Sequence, residues 1–324
     1  MKIAVLGAGS MGSVFGGRLS AAGHEVWLVH RREAPVHAIR EGGLIIEKPG
    51  GRARVVHPRA TTDLGEVGPA DLVIVFVKAT DTAAAAAGAG PLVGPDTVVL
   101  SLQNGLGNLE ALGAAFGPER VMAGITYAGA RTLGPGHVVH HIEARTVIGA
   151  TEPALAGRVR EVAAALEGAG LPTSVDDDVL RLIWSKAVVN ISVNAVTALT
   201  GLRFSEIPDA PEAMEMVLNA LDECLAVAKA LGIAIEFADD PHRFLREHLR
   251  RIGPNKSSML QDFERGRKTE IEALNGALVA RAWRLDIDVP YNEMLTTLVQ
   301  GIERQLGVVP AGGAPEGSAV DPLI

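Results

Sequence analysis

The feature that most constrains this chain is Gly7-Ala8-Gly9-Ser10-Met11-Gly12, a G-x-G-x-x-G run between the apolar stretch Lys2–Leu6 and a helical pattern from Met11 to Ala21. Each glycine answers a separate steric demand. The first permits a tight turn, the second lets the backbone approach a pyrophosphate, and the third lets helix and strand pack closely. The start of the helix supplies N–H groups that suit an anion. Alone such a run is a weak signal, and a merely structural glycine turn is the alternative. Here Gly23-His24 ends the helix and a second apolar stretch, Glu25–His30, follows. That context predicts a dinucleotide site, with Gly7, Ala8, Gly9, Ser10, Met11 and Gly12 as its binding loop.

The pattern continues through the first half of the chain. Leu72–Val77, Thr97–Leu102, Val121–Thr126 and Thr146–Gly149 are apolar at nearly every position and are separated by helical stretches, one of them the small-faced Thr82–Gly90. Such strands belong to a parallel sheet covered on both faces. Leu44–Ile46 and Ala53–Val56, joined through Pro49-Gly50-Gly51, read as a hairpin insertion, and His137–Ile142 with Thr146–Ile148 as another pair at the sheet edge. After Asp176-Asp177-Asp178 the period becomes helical: Val179–Thr200, Pro211–Leu231, Arg243–Arg250, Met259–Arg265, Glu270–Arg284 and Asn292–Leu306. The expected fold class is therefore α/β, with an N-terminal Rossmann-type parallel-sheet domain over residues 1–175 and an all-helical C-terminal domain over residues 176–307. Residues 308–324, broken by Pro and Gly, are expected to form a loose tail.

Composition removes several function classes. A net charge of −8 argues against a nucleic-acid partner, and 4% aromatics against base-stacking platforms. The longest unbroken apolar runs fall short of the ~20 residues that cross a bilayer, so no membrane partner is expected. With one cysteine, no internal disulfide can form. The chain opens directly into Lys2–Leu6 with no leader pattern, and the expected setting is cytoplasmic. Cys224 lies among Leu221, Leu225 and Ala228, as a core residue would. Alternation along a strand sends His140 and His141 to opposite faces, which disfavours a metal site with His137.

Polar residues in apolar settings mark the candidate chemistry. The second strand ends in His30-Arg31-Arg32, where an acidic residue would suit the ribose of NAD; guanidiniums suit a 2′-phosphate, so NADP(H) is the expected cofactor unless both arginines are solvated loop charges. Val179–Leu199 is apolar nearly all round, yet Lys186, Asn190 and Asn194 recur at i, i+4 and i+8, within about 80° on one stripe. A lysine on a buried helix needs partners. Thr269 and Glu272 have the spacing of a capping box, which gives Glu272 a structural role. On a helix whose buried face is Ile271, Leu274, Leu278 and Leu285, Glu270 would border the interior and could meet Lys186. Lys78 and Gln103-Asn104-Gly105 follow two strands, at the ends where a parallel sheet places its ligand crevice, although Asn104 before Gly105 could equally be a turn residue.

At these residues the sequence resembles the ketopantoate reductases (2-dehydropantoate 2-reductases), which reduce 2-dehydropantoate to pantoate with NADPH on the route to coenzyme A. The resemblance rests on the glycine loop, Val77-Lys78-Ala79, Gln103-Asn104-Gly105, Trp184-x-Lys186 with Asn190 and Asn194, Asn255-x-Ser257-Ser258-Met259-Leu260-Gln261-Asp262, and Thr269-Glu270-Ile271, spread from Met1 to Leu306. It implies that Lys186 is the general acid and that Glu270 assists at the active site and near the nicotinamide ribose. It implies also that Asn190, Asn194, Asn255 and Ser258 hold the small 2-oxo acid substrate, that Arg31 binds the 2′-phosphate, and that Lys78, Asn104 and Ala128 line the cofactor. Two departures bear on substrate choice: Ala195 follows Asn194 where many members have Pro, and no Asn stands near Phe204-Ser205. A reductase of another short branched 2-oxo acid thus stays open, as does a non-catalytic NADP sensor, which would have no use for Lys186. The apolar helices of the C-terminal half would permit a homodimer.

Overall fold

The computed structural model of the chain describes residues 1–309, so most of the expected tail, residues 310–324, lies outside the described residues. The chain divides into two compact units, one formed by Met1–Ala187 with Ile233–Glu236, the other by Val188–Gly232 with Phe237 onward. The architecture is α/β, a Rossmann-type sheet followed by helices.

The first unit holds twelve strands: β1 (Lys2–Leu6), β2 (Glu25–Val29), β3 (Leu44–Glu47), β4 (Ala53–Val56), β5 (Arg59–Thr61), β6 (Ala70–Val75), β7 (Val93–Ser101), β8 (Val121–Thr126), β9 (Gly129–Gly134), β10 (His137–Ile142), β11 (Thr146–Ala150) and β12 (Thr173–Val175). Its helices are α1 (Ser10–Ala21), α2 (Glu33–Gly42), α3 (Thr82–Gly88), α4 (Asn108–Phe116) and α5 (Ala156–Gly168). Eight strands form one sheet in the order β12-β11-β8-β7-β6-β1-β2-β5. From β5 to β8 every neighbouring pair is parallel, and the order reverses between β1 and β6. That reversal is the switch point, outside whose strand ends α/β folds bind ligands. Leu6 is level with both Val29 and Val75, so the loops after β1, β2 and β6 leave the sheet together.

Period-two alternation explains the two faces. Ile3 and Val5 join one core with Val14, Phe15 and Leu19 of α1, while Ala4 and Leu6 join the other with Ala86, Leu92 and Leu112. A Cβ at Gly16 would stand 2.4 Å from Leu28 Cδ2, and one at Gly17 2.5 Å from Ile46 Cδ1, so α1 is pressed between the large sheet and a second one. This second sheet runs β4-β3-β10-β9 and contains the expected hairpin, with Leu44 opposite Val56. The other expected pair does not form. β10 lies antiparallel to β9 and parallel to β3, whereas β11 pairs with β8 and β12 in the large sheet. Burial decides this: Val138 packs into the core around α1, and Val147 packs with Ile125 and Leu182, so the link at residues 143–145 passes between sheets.

The remaining helices are α6 (Val179–Thr200), α7 (Pro211–Ala230), α8 (Pro241–Ile252), α9 (Ser258–Glu264), α10 (Asn275–Arg284) and α11 (Pro290–Gln305). No strand occurs after β12 among the described residues. By length and composition α6 is apolar enough to cross a membrane, and 78% of its apolar window is buried within the protein. The two compact units meet in sequence inside this helix, after Ala187.

The expected helix over Glu270–Arg284 is broken. Ile271–Ala273 forms one 3₁₀ turn, Leu274 adopts φ −107° and ψ −96°, and α10 starts only at Asn275. The capping box does not form either. Thr269 Oγ1 accepts from Ile271 N at 3.1 Å and donates to the buried Glu303 Oε1 at 2.7 Å, while Glu272 accepts from Lys268 Nζ at 3.1 Å. Asn275, fully buried, donates to Ile191 O at 3.0 Å and Asn292 Oδ1 at 2.9 Å. Thr269 is held by a carboxylate 34 residues on and Glu272 by Lys268 four residues back, so the two side chains that local spacing assigned to each other have other partners. Glu270 is still partly buried and Glu272 exposed, though not for the helical-wheel reason.

Candidate active site

The glycine loop behaves as its spacing predicts. Gly7 has φ +94°, and a Cβ there would lie 2.5 Å from Val77 N. A Cβ on Gly12 would lie 2.4 Å from Gly7 O, whereas one on Gly9 would meet nothing within 4 Å. Gly7 N and Ala8 N donate to Val29 O at 3.2 and 3.0 Å, tying the loop to the end of β2. Gly9 occupies the N-cap position of α1 and offers no side-chain cap, so the first-turn amides of Ser10, Met11 and Gly12 keep the open, positively polarised face of a helix N-terminus. The open space at Gly9 and the uncapped helix start fit the pyrophosphate of a dinucleotide.

Arg31 and Arg32 follow β2. The Arg31 side chain is 80% exposed, with Nη1 3.1 Å from Asp81 Oδ2. Arg32 N donates to His30 Nδ1 at 3.0 Å. Burial, then the charges of Arg32 and Arg31, hold the His30 pKa below its ordinary value. Lys78 is partly buried and heads the 3₁₀ turn Ala79–Asp81 after β6. Gln103 Nε2 donates to Val77 O at 2.9 Å and Thr82 Oγ1 at 2.6 Å, joining the segments that leave β6 and β7.

These strand ends converge on one ammonium group. Lys186 Nζ donates to Asn104 Oδ1 at 2.9 Å and to Thr126 O at 2.8 Å, groups that follow β7 and close β8. The Asn104 carbonyl meanwhile accepts from Asn108 Nδ2 at 2.9 Å. Asn104 is thus a turn residue in its main chain and a lysine partner in its side chain. Tyr127 sits with its ring centroid 5.8 Å from Lys186 Nζ and 5.3 Å from the Arg145 guanidinium carbon. Burial and, next, the Glu236 charge push the Tyr127 phenol up, against the pull of Arg145 and Arg181. Ala128 N donates to Thr126 Oγ1 at 3.2 Å. Sequence reasoning named Lys186, Asn104 and Ala128 but passed over Thr126 and Tyr127. The strand-end rule that selected Lys78 and Asn104 would have found them.

In the second unit, Asn190 is partly buried and Asn194 is 3% exposed on α6. Thr197, one turn beyond Asn194, donates to Ser257 Oγ at 2.6 Å, which sets the start of α9 beside that part of the stripe. Ser257, not Ser258, is the N-cap of α9, accepting from Leu260 N at 3.0 Å; Ser258 is exposed. Asn255 is also exposed, its Nδ2 donating to Ile252 O at 2.8 Å. Cys224 is fully buried, and that burial pushes its thiol pKa up.

The parallel order reversing at β1/β6, the three glycines and the lysine held at two strand ends define a dinucleotide-fold oxidoreductase. Residues 3–153 match the family described as Ketopantoate reductase PanE/ApbA, and residues 178–303 its C-terminal counterpart. A 2-dehydropantoate 2-reductase of Halobacterium salinarum is 37% identical over 304 residues, covering 94% of this chain and 99% of that one. The crystal structure of a PanE/ApbA family ketopantoate reductase from Ralstonia eutropha superposes with a TM-score of 0.87 at 36% identity, covering 95% of this chain and 100% of that one. A D-mandelate dehydrogenase in ternary complex with NADH and anilino(oxo)acetate also gives 0.87, at 28% identity and the same coverage. The chain belongs to the ketopantoate reductase family.

Proposed function

We propose that this chain reduces 2-dehydropantoate to pantoate with NADPH, residues 1–175 serving the cofactor and 176–307 the substrate. The observation that carries this reading is the Lys186 ammonium, aimed by Asn104 Oδ1 and the Thr126 carbonyl at the carboxyl ends of two adjacent parallel strands. The glycine loop takes the pyrophosphate and Arg31 the 2′-phosphate, with Lys78, Asn104 and Ala128 along the cofactor. When bound, the nicotinamide supplies a hydride to the C2 ketone. The ketone oxygen then gathers negative charge, and Lys186 is the group that stabilises it and gives it a proton. Because two acceptors fix the direction of Nζ, little reorganisation is needed as that charge develops. Asn190, Asn194, Asn255 and Ser258 take the substrate's hydroxyl and carboxylate, and Glu270 assists the proton transfer.

The test follows NADPH absorbance with 2-dehydropantoate, pyruvate and 2-oxoisovalerate, with NADH as a control. Oxidation confined to 2-dehydropantoate with NADPH is the expected result. Lys186→Ala should lose about 10²–10⁴-fold in turnover while still binding NADPH; unchanged turnover would remove Lys186 from its role. The fold similarity to an NADH-bound D-mandelate dehydrogenase, together with Ala195 after Asn194, supports a second reading, a reductase of another 2-oxo acid. NADPH binding without reduction of 2-dehydropantoate would favour it.

A further inference from the structure

Asp81 stands at the N-cap position of α3, where a carboxylate ordinarily accepts from the helix's own first-turn amides, yet its side chain makes no cap bond. It reaches instead across to Arg31, with Oδ2 3.1 Å from Nη1. The two residues leave adjacent parts of one sheet edge, Arg31 after β2 and Asp81 in the turn after β6, on the two sides of β1 and its glycine loop. Arg31 is 80% exposed and Asp81 42%, so both can meet a ligand.

We infer that Asp81 is a specificity-determining residue that tempers this chain's preference for NADPH over NADH; the inference rests on the proposal that Arg31 meets the 2′-phosphate. A 2′-phosphate must share Arg31 with Asp81 and lie near a carboxylate of its own sign. NADH carries a 2′-hydroxyl there, which a carboxylate can accept from, as acidic residues do at the corresponding place in NAD sites. The pair therefore holds both a phosphate-seeking and a hydroxyl-seeking group at one spot. NADPH is expected to bind ahead of NADH by a smaller margin than Arg31 alone would give, and loss of the carboxylate should widen that margin.

The experiment titrates NADPH and NADH into the full chain and into Asp81→Asn, Asp81→Glu, Arg31→Ala and the Arg31→Ala/Asp81→Asn double variant, reading Kd for each, with thermal melting as the folding control. Asp81→Asn should tighten NADPH about three- to fivefold, the size of an exposed charge pair, without tightening NADH. Asp81→Glu should keep the wild-type ratio, and the gain from Asp81→Asn should be smaller in the double variant, where only the like-charge repulsion on the phosphate is left to relieve. If Arg31→Ala weakens NADPH while Asp81→Asn leaves the ratio unchanged, the role of Asp81 is overturned and the cofactor assignment stands. If NADH binds as tightly as NADPH and neither substitution alters the ratio, the cofactor assignment fails and the inference fails with it.

Discussion

At Gly12 a Cβ would stand 2.4 Å from the Gly7 carbonyl oxygen, whereas at Gly9 it would meet nothing within 4 Å. Two alanine substitutions in one motif should thus fail in different ways. Gly12→Ala forces backbone apart and should cost about 1–3 kcal/mol of stability, visible as a lower Tm. Gly9→Ala should melt like the parent chain but bind the cofactor about tenfold more weakly, roughly 1.4 kcal/mol, since the new methyl occupies the space a pyrophosphate needs. Equal losses of Tm in both variants would contradict this division. The motif was legible at this scale because glycine's roles are steric and local. Lys186 was legible too, as a charge out of place on an apolar helix. Its acceptors were less so, since Thr126 contributes only a backbone carbonyl, which every residue possesses.

Helices were legible from their period, but their ends were decided by partners elsewhere. α11 begins at Pro290, and its first-turn amides Tyr291 N and Asn292 N donate to Glu223 of α7 at 2.8 and 2.9 Å, so a carboxylate 68 residues upstream of Tyr291 caps this helix. The start of α9 sets two neighbouring serines in different surroundings. Ser257 is buried, caps Leu260 N and accepts from Thr197; Ser258 is exposed. Ser257→Ala should cost about 1–2 kcal/mol in denaturant unfolding. Ser258→Ala should leave stability alone and raise the KM for the 2-oxo acid. A stability loss at Ser258 matching that at Ser257, with KM unmoved, would make both serines structural.

Across the whole molecule, His24, His30, His140 and His248 all have pKa values held below the ordinary histidine value, chiefly by burial. His140 is 2% exposed, and the Arg18 charge adds to its desolvation. Each binds its proton more weakly folded than unfolded. Below pH of about 6.5 the unfolded chain therefore takes up more protons, and stability should fall as the solution is acidified. Glu143, held low by its Lys48 bond and by Arg18 though opposed by desolvation, acts in the same direction at lower pH: its contribution is present above its unfolded pKa and lost as pH falls through the folded one. Denaturant unfolding at pH 7.5 and 5.5 should show the loss, and His140→Asn should reduce it, because Arg18 retains Gly170 O at 2.8 Å and the Glu143 carboxylate. An undiminished slope in that variant would place the acid sensitivity elsewhere.

Two kinds of information are separable here. The β1–α1–β2 unit and the run of α6 follow from alternation, glycine spacing and helical period within a few tens of residues, where covalent geometry restricts the outcome. The fate of β10, the break at Leu274 and the triangle of Lys186, Asn104 and Thr126 were settled only in the folded chain. Lys186 lies 82 residues from Asn104 and 60 from Thr126, and Thr269 lies 34 from Glu303. Buried polar groups must find partners wherever packing brings them, and which partner is nearest depends on how sheets and helices stack rather than on sequence spacing.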